Sequence, residues 1–556
     1  MGSPADLQGD GLPADVAAAG GLTPGRPGRV RTRRRRAPLA LQLVGAGLAA
    51  LFGIPLGWLV IRSLGAGSAA TLTSGQGLRP LVSSVALATA TAAATAVVGT
   101  GAAWLTVRTD LRWARLFQLL LPLPLVVPSF IGAFTLLAAF APGGLLDQLL
   151  PVAVGLPRLG GFPGAFAVLT LLTYPYVFLP VAARLRQLPA SLEESARLLG
   201  RGGWGAFVHV VLPQTRTAIL AGALLVFLYT ISDFGAVQLL RYDTLTRVIY
   251  ATRLDQATSI ALSLQLGLLA VAVVVGERML VRSAPPTGPR VARPLHVPLG
   301  RWQMPARLAV AALVLLSLAA PVSVLLYWAV RGIVQGSTRA AAVSADPASL
   351  VAPLVNTVGA GVAAAGAALC VVLPLAYLTV RHRGAVPATA NAVVVGGFAL
   401  PGLVVALSLA SFALRGPAAA GLLYQTLALL VLAYTVHFGA QALRAAQVAV
   451  ASVAPRVGDA ARMLGAGGLR RVVAIDLPLM LPGLGAGAGL VLLSTMKELP
   501  ATLLLAPPGF STLATRIWNA TEDAFWADAS LASLVLIAIS AVLTWVFVIR
   551  RFDALD

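Results

Sequence analysis

The heptapeptide Glu194-Ser-Ala-Arg-Leu-Leu-Gly200 returns in the second half of the chain as Asp459-Ala-Ala-Arg-Met-Leu-Gly465. In both copies an aliphatic-x-Leu-Pro sequence follows at the same distance from the glycine. The shared positions are Glu194, Ser195, Ala196, Gly200, Val210, Leu212 and Pro213, and then Asp459, Ala460, Ala461, Gly465, Ile475, Leu477 and Pro478. Two copies in one register indicate an internal repeat.

The composition is that of a polytopic membrane protein. Of 556 residues, 58% are hydrophobic and 11% charged, and the mean hydropathy is +0.86. Apolar runs recur near the roughly 20 residues that cross a bilayer as a helix. The sequence therefore predicts an all-α membrane protein of about twelve helices, six in each half. The predicted spans are 39–62, 81–107, 116–140, 164–183, 217–240, 258–280, 308–330, 354–380, 389–414, 419–440, 481–506 and 529–549.

The net charge of +21 is unevenly distributed. Most basic residues fall in segments that share one side of the membrane if the N-terminus is cytoplasmic. This bias follows the positive-inside rule and predicts that both termini are cytoplasmic. The run Arg31–Arg36 then indicates a topology anchor with affinity for anionic membrane lipid, so no nucleic-acid partner is expected. A cleaved signal peptide is not expected, because the first apolar segment is too long.

The repeat also predicts the domain organisation. A disordered basic tail is expected over 1–37, a first half over 38–282, a cytoplasmic linker over 283–307 and a second half over 308–556. Further matched positions are Leu81–Val85 with Leu354–Val358, Pro128 with Pro401, and Asp233 with Glu498. Six spans in each half make the repeat parallel, and a transported substrate would pass between the halves.

Each copy of the motif predicts a short helix between two spans. Ser191 and Glu194 have the spacing of a capping box, and Gly200 suits the left-handed residue that ends a helix, which gives about nine residues. Pro455 and Gly465 bound the second copy, and Pro213 and Pro478 would start or bend the next span. One such helix is as readily an ordinary amphipathic loop helix. Two in equivalent positions favour a docking element.

The docking interpretation assigns roles to the first residues of each copy. The small residues Ala196, Ala460 and Ala461 would let the backbone of a partner approach closely. The acids Glu194 and Asp459 would stabilise the helix N-terminus and offer a salt bridge.

The repeated motif resembles the EAA loop of permease subunits in binding-protein-dependent ABC importers, here near 185–215 and 441–480. Ser232–Tyr242 and Met496–Leu505 resemble segments of the fused permeases of ferric-iron importers. The sequence departs from the usual motif mildly, with Ser195 for the first alanine and Asp459 for glutamate. The resemblance implies a permease in the cytoplasmic membrane of a prokaryote, two copies of a separate ATPase subunit docked on the two loops, and an extracytoplasmic binding protein.

Catalytic and metal-binding patterns are missing from the sequence. The only lysine, Lys497, is followed by glutamate, whereas a P-loop needs lysine followed by serine or threonine after a glycine-rich turn. We therefore expect no enzyme activity and no cofactor on this chain, with ATP and Mg²⁺ bound by the partner ATPase. His209, His296, His382 and His437 have no metal-ligand spacing, and the single Cys370 permits no internal disulfide.

Three charged residues within predicted spans are candidates for the translocation pathway: Asp233, Lys497 and Glu498. Ionisable groups in a membrane usually face a cavity or a partner. Acids would lower the electrostatic barrier for a multivalent cation, whereas Lys497 would oppose it unless Glu498 neutralises it. The alternative is that the acids lie near the outer surface and pair structurally, Glu498 with an arginine of the other half.

Other functions remain open from the residues. The same type of permease serves thiamine, phosphonate or polyamine import, and ferric iron rests on the resemblance. A secondary transporter of twelve helices driven by protons or sodium is a different class, for which Arg108-Thr-Asp110-Leu-Arg112 is a weak match with the wrong glycine spacing. A membrane scaffold without transport leaves the paired loops unexplained.

Overall fold

The computed structural model describes residues 37–64, 68–149, 160–281, 297–335, 346–397 and 399–549. Within these ranges the chain is helical, and the only β contact is an isolated bridge between Thr109 and Val297. The predicted all-α class is confirmed. The predicted tail over 1–37, except for Ala37, and most of the linker over 283–307 lie outside the described residues. The described end of that linker already forms a 3-10 turn at Gly300–Trp302.

The helices of the two halves follow in chain order. Those of the first half are α1 (Leu39–Leu64), α2 (Ser68–Thr73), α3 (Gly75–Val107), α4 (Ala114–Leu120), α5 (Ser129–Ala139), α6 (Leu145–Leu149), α7 (Gly161–Thr173), α8 (Pro175–Gln187), α9 (Ala190–Leu198), α10 (Gly203–Ala206), α11 (Leu212–Ser232), α12 (Gly235–Leu239), α13 (Leu245–Ala251) and α14 (Gln256–Val281). Those of the second half are α15 (Gln303–Val314), α16 (Ala320–Gln335), α17 (Val351–Arg381), α18 (Ala385–Gly397), α19 (Gly402–Arg415), α20 (Ala418–Gly421), α21 (Leu427–Ser452), α22 (Pro455–Met463), α23 (Gly468–Arg471), α24 (Leu477–Met496), α25 (Pro500–Leu505), α26 (Leu513–Glu522) and α27 (Trp526–Thr544). Further 3-10 turns are Leu123–Val126 and Pro347–Leu350, and π turns are Phe207–Val211, Leu315–Ala319, Val472–Asp476 and Trp545–Ile549.

Among the described residues, 10 helical segments are long and apolar enough to cross a membrane. Two bent pairs bring the total to 12 if each is one crossing, which matches the predicted number. The continuous spans predicted at 116–140 and 389–414 are wrong, because these segments bend by 95° and 108°. The bends lie at Pro128 and Pro401, which precede α5 and α19 with ψ near 149° and 145°. Proline also disfavours a helical conformation in the residue before it.

Several predicted boundaries shift for a physical reason. The spans predicted at 217–240 and 481–506 end early, at Ser232 and Met496, where a charged residue follows. The span predicted at 419–440 instead covers Leu427–Ser452. Hydropathy marks apolar residues, whereas a helix also continues into polar surroundings while its backbone hydrogen bonds are satisfied.

The second half repeats the first element by element, which confirms the internal repeat. The helix α9 corresponds to α22, and the π turn Phe207–Val211 corresponds to Val472–Asp476. With each bent pair counted as one crossing, six crossings separate α9 from α22. Both short helices then lie on the same side of the membrane.

The first long helix of each half packs against the other half. Helix α1 contacts α17, α18 and α19, and helix α16 contacts α5. Trp58 Nε1 in α1 donates to Ser411 Oγ at 3.1 Å, and Ser408 Oγ donates to the carbonyl of Pro55 at 2.7 Å. Because a helix of each half packs against the other half, one continuous core includes buried residues of both halves.

Candidate coupling loops and translocation pathway

The motif glycines end the short helices as predicted. Helix α9 has nine residues, and Gly200 follows it with φ of +83°. Helix α22 also has nine residues, and Gly465 follows with φ of +79°. The amide of the next residue then bonds back into the helix, from Arg201 to the Ala196 carbonyl at 3.1 Å and from Ala466 to the Ala461 carbonyl at 3.0 Å. This is the glycine-dependent helix end that the sequence indicates.

The predicted capping box at Ser191 is wrong. Helix α9 begins one residue earlier, at Ala190, and the amide of Leu192 bonds to the Pro189 carbonyl at 3.3 Å. Ser191 is therefore inside the helix, and its carbonyl accepts a hydrogen bond from Ser195 Oγ at 2.7 Å. In the second copy, Pro455 occupies the first turn of α22 as predicted.

Only part of the motif faces solvent. Glu194 and Ser195 are exposed, as are Asp459 and Ala460, and Asp459 pairs with Arg462 at 2.5 Å. Ala196 and Ala461 are buried against this chain, at 6% and 4% exposure. Whether these small residues let the backbone of a partner approach closely stays a prediction.

Among the described residues of both loops, the most exposed apolar side chains lie just before the glycines. Leu198 and Leu199 are 88% and 84% exposed, and Met463 and Leu464 are 84% and 89% exposed. These two pairs, which we call the apolar doublets, occupy equivalent positions in the repeat. Their exposure was not predicted from the sequence, although both positions carry apolar residues in each copy. A doublet held open at the end of a short helix can insert into an apolar groove of a partner.

The motif prolines lie where the chain returns to the membrane. Leu212 and Leu477 begin α11 and α24, and Pro213 and Pro478 lie in the first turn of these helices, as predicted. A π turn precedes each helix directly. Such wide turns are rare and often occur at functional sites.

A buried ion pair anchors the first loop. Arg108, which follows α3, is fully buried and donates to Glu193 of α9, whose side chain is 4% exposed. The Arg108 guanidinium also lies 3.5 Å from the Leu188 carbonyl. Burial lowers the pKa of Arg108 from its ordinary value, yet guanidinium groups in proteins stay protonated. This pair was not predicted, because nothing in the sequence pattern shows which of two adjacent acids faces inward.

The second loop is anchored differently. Arg381, the repeat mate of Arg108, donates to the carbonyls of Val450 and Val453 at 2.9 and 2.6 Å. Gly458 occupies the position of Glu193, so no equivalent ion pair forms there. A separate, partly buried group links Arg471 to Asp476 at 3.2 Å and to the Tyr377 hydroxyl at 2.6 Å.

Asp233 and Glu498 hold equivalent positions just after α11 and α24. The Asp233 carboxylate accepts from Ser129 Oγ, at the start of α5, and from the Ala236 amide at 3.0 Å. The Glu498 carboxylate accepts from the Ala501 amide at 3.2 Å. Each acid therefore stabilises the N-terminus of the following short helix, α12 or α25.

The second half has no serine hydroxyl to place against its acid. Gly402 holds the position of Ser129, and a Cβ there would lie 2.4 Å from Glu498 Oε1. The longer glutamate thus fills the space that the serine side chain occupies in the first half. The other Glu498 oxygen lies 4.0 Å from His437 Nε2, so its partner is a histidine of its own half rather than an arginine of the other.

Lys497 bonds across the two halves. Its ammonium group donates to the Leu125 carbonyl at 3.3 Å, in the bent span of the first half. This hydrogen bond to a neutral carbonyl leaves the ammonium charge in place, so neutralisation of Lys497 by Glu498 stays a prediction. Between the halves, the ring of Phe234 packs against Tyr250 and Trp518, with centroids 4.8 and 5.3 Å away. The aromatic rings fill this part of the interface.

A resident metal site has no support in the part of the chain that the structure describes. No group of three His, Cys, Asp or Glu residues there is arranged to hold a metal ion. His437 lies beside Glu498, and the ring of His209 lies 3.0 Å from the Gly205 carbonyl. The described histidines are thus not gathered into one site.

Comparison with known proteins gives consistent matches. Residues 96–283 match the family described as binding-protein-dependent transport system inner membrane component. The Fe(3+)-transport system permease protein FbpB 2 of Haemophilus influenzae is 29% identical over 464 residues, which cover 82% of this chain and 86% of the relative. A probable molybdenum ABC transporter permease of Haloferax volcanii is 30% identical over 44% of this chain and 89% of the relative. The sulfate transport system permease protein CysT of Escherichia coli is 29% identical over 25% of this chain and 50% of the relative.

The relatives are permeases, and the fold has the apolar helices of a multi-pass membrane protein. The chain belongs to the binding-protein-dependent transport system inner membrane component family, the permeases of ABC importers.

Proposed function

We propose that this chain forms the translocation pathway of an ATP-driven importer and couples it to two copies of a separate ATPase subunit. The apolar doublets are the observation that supports this proposal best. They lie at equivalent positions at the ends of α9 and α22, and each is followed by a left-handed glycine. Each loop offers an exposed acid, a doublet and a left-handed glycine. Two equivalent surfaces fit two copies of one partner.

On this proposal the chain itself is not an enzyme and binds no cofactor. ATP and Mg²⁺ would bind to the ATPase subunits, because the sequence has no phosphate-binding loop with its lysine. Closure of the two ATPases would move α9 and α22 together. Their anchors, Arg108 in the first half and Arg381 in the second, would pass that movement to α3 and α17.

We propose ferric iron as the cargo, delivered by an extracytoplasmic binding protein. The Fe(3+)-transport relative matches over 82% of the chain and thus across both halves, whereas the molybdenum and sulfate relatives match 44% or less. Asp233 and Glu498 would lie along the route, where their carboxylates ease the passage of a multivalent cation. The uptake test decides between iron and the alternative cargoes, which are thiamine, phosphonate, polyamines and oxyanions.

The docking test is the double variant Glu194→Lys with Asp459→Lys. Charge reversal on both loops should abolish co-purification of the ATPase while the permease still inserts into the membrane. The matched control is Asp255→Lys with Asp523→Lys, a pair of exposed acids in loops at the other end of the crossings. Normal ATPase association of the loop variant would refute the docking role. Transport by vesicles that lack ATP and any ATPase would instead support a secondary transporter.

The cargo test measures uptake of radioactive ferric iron in a deletion strain under iron starvation. Uptake should fall in the deletion strain and return with the wild-type gene, but not with the Glu194→Lys, Asp459→Lys variant. Unchanged iron uptake, in a strain without a redundant system, together with lost molybdate or sulfate uptake would overturn iron as the cargo. That result would leave the coupling proposal intact.

A further inference from the structure

A cluster of exposed tryptophan and arginine side chains lies where α3 ends and the second half begins. Trp113 and Trp302 are 58% and 60% exposed. The guanidinium carbons of Arg112 and Arg307 lie 5.8 and 5.5 Å from the Trp113 ring centroid. Arg301 lies 5.8 Å from the ring of Trp302. We call these five residues the Trp–Arg corner.

The backbone builds this corner from two distant parts of the chain. Thr109 and Val297 form the isolated β bridge, and the Asp110 carboxylate accepts from the Leu299 amide at 2.9 Å. Gln303 Nε2 donates to the Asp110 carbonyl at 3.0 Å. Asp110 thereby fixes the start of the second half beside the end of α3. The corner is a structured junction and not a chance approach of two loops.

Trp113 combines an uncommon backbone conformation with an exposed ring. Its φ of +68° is in the left-handed region, which is uncommon for a residue other than glycine. Trp113 is also the residue that directly precedes α4, and its side chain is more than half exposed. Two exposed indole rings in one structured junction form an apolar surface that another molecule can cover.

The position of the corner identifies that surface. Val107 ends one crossing, and the span Gly300–Val334 begins another, so the corner lies at the ends of membrane crossings. Tryptophan is enriched at this depth, where its ring sits among lipid headgroups. Further along the adjoining helices, Leu116, Leu119 and Leu308 are 49%, 61% and 58% exposed, in position to contact acyl chains.

The charge of the corner identifies the headgroup. Among the described residues, the ion pairs leave Arg112, Arg301 and Arg307 without a carboxylate partner. Guanidinium groups match phosphate geometry and attract anionic lipid at a membrane surface. We propose that the Trp–Arg corner is a binding site for an anionic phospholipid headgroup, which bridges the two halves of the permease. This site is independent of the cargo and of the ATPase.

The second half supplies a matched contrast. Its equivalent turn, between α17 and α18, reads His382-Arg383-Gly384-Ala385-Val386 and carries no tryptophan. Lipid retention should therefore be a property of the first-half corner alone.

The test is native mass spectrometry of the full chain purified from phosphatidylglycerol and phosphatidylcholine mixtures. The wild type should retain phosphatidylglycerol preferentially, and Arg112→Gln, Arg301→Gln and Arg307→Gln together should weaken retention by about fivefold for each guanidinium lost. The control replaces Arg241, Arg253 and Arg415, exposed arginines at the other end of the crossings, by glutamine. It should retain the lipid as the wild type does.

A second variant keeps the test decisive if the triple variant is unstable. Trp113→Gly suits the left-handed backbone, so it should fold normally and still lower phosphatidylglycerol retention. Inorganic phosphate at millimolar concentration should not displace the lipid, since the apolar contacts are part of the site. Equal retention of both lipids by the wild type, or unchanged retention in the variants, would overturn the proposal. Unchanged lipid with weakened ATPase association would assign the corner to the protein partner instead.

Discussion

The two coupling loops share an outer surface but not an anchor. Both end in a left-handed glycine behind an exposed apolar doublet. Inside, the first loop is held by the Arg108–Glu193 ion pair, whereas in the second Arg381 donates to two carbonyls and Gly458 replaces the glutamate. The two loops are therefore equivalent in the surface that they present, although different interactions hold that surface in place.

Glu193→Ala, which removes the anchor of the first loop, should have the largest effect. The substitution leaves the fully buried Arg108 without its carboxylate, which should lower the free energy of opening of α9 by about 3–5 kcal/mol. Hydrogen exchange of the α9 amides measures this. The matched control is Gly458→Ala in α22, whose Cβ would lie 3.5 Å from Arg471. It should change the free energy of opening of α22 by less than about 1 kcal/mol. Equal effects in both loops would contradict the difference in anchoring.

The next effect is that of Arg381→Ala. It removes two hydrogen bonds from a charged donor without leaving a buried charge, so the free energy of opening at the end of α21 and in the turn into α22 should fall by about 2 kcal/mol. The same exchange measurement applies to α22 and to the end of α21. A loss as large as that of Glu193→Ala would show that the second anchor is as strong as the first.

The glycine substitutions should act alike in both loops. Gly200→Ala and Gly465→Ala each place a Cβ in the left-handed region, at a cost of about 1–2 kcal/mol. The controls Gly202→Ala and Gly467→Ala lie at open positions without positive φ and should cost less. Thermal unfolding in detergent compares the four variants. A different loss at Gly200 and Gly465 would show that the outer geometries are not equivalent.

The smallest effect on stability is expected from the doublets. Leu198→Ser and Met463→Ser alter exposed side chains and should change the free energy of unfolding by about 0.5 kcal/mol or less. Each should nevertheless weaken ATPase co-purification to a similar degree. Weakening by only one of the two would mean that the loops do not bind equivalent partners.

The sequence predicts the features that depend on hydrophobic periodicity and on the residues that begin and end helices. The number of crossings, the repeat, the length of α9 and the roles of Gly200 and Gly465 follow from hydropathy and from the backbone freedom of glycine. These features are local, so a single sequence contains them.

The features that were not predicted depend on how the helices are oriented in the tertiary structure. Hydropathy cannot show the bends at Pro128 and Pro401, because both arms of a bent helix are apolar. Nor can spacing alone decide that Glu193 faces Arg108 while Glu194 faces solvent, since the angle of α9 against α3 sets this. Whether Asp233, Lys497 and Glu498 line the pathway remains a prediction.

The packing of α1 against the second half has a consequence for synthesis. Its hydrogen bonds from Trp58 to Ser411 and from Ser408 to Pro55 each join residues 353 positions apart. At about 5–20 residues per second, the ribosome needs roughly 20–70 seconds to supply those partners. During that interval α1 can rest only in lipid or beside its other neighbour, α14, so the wall between the halves is completed late in translation.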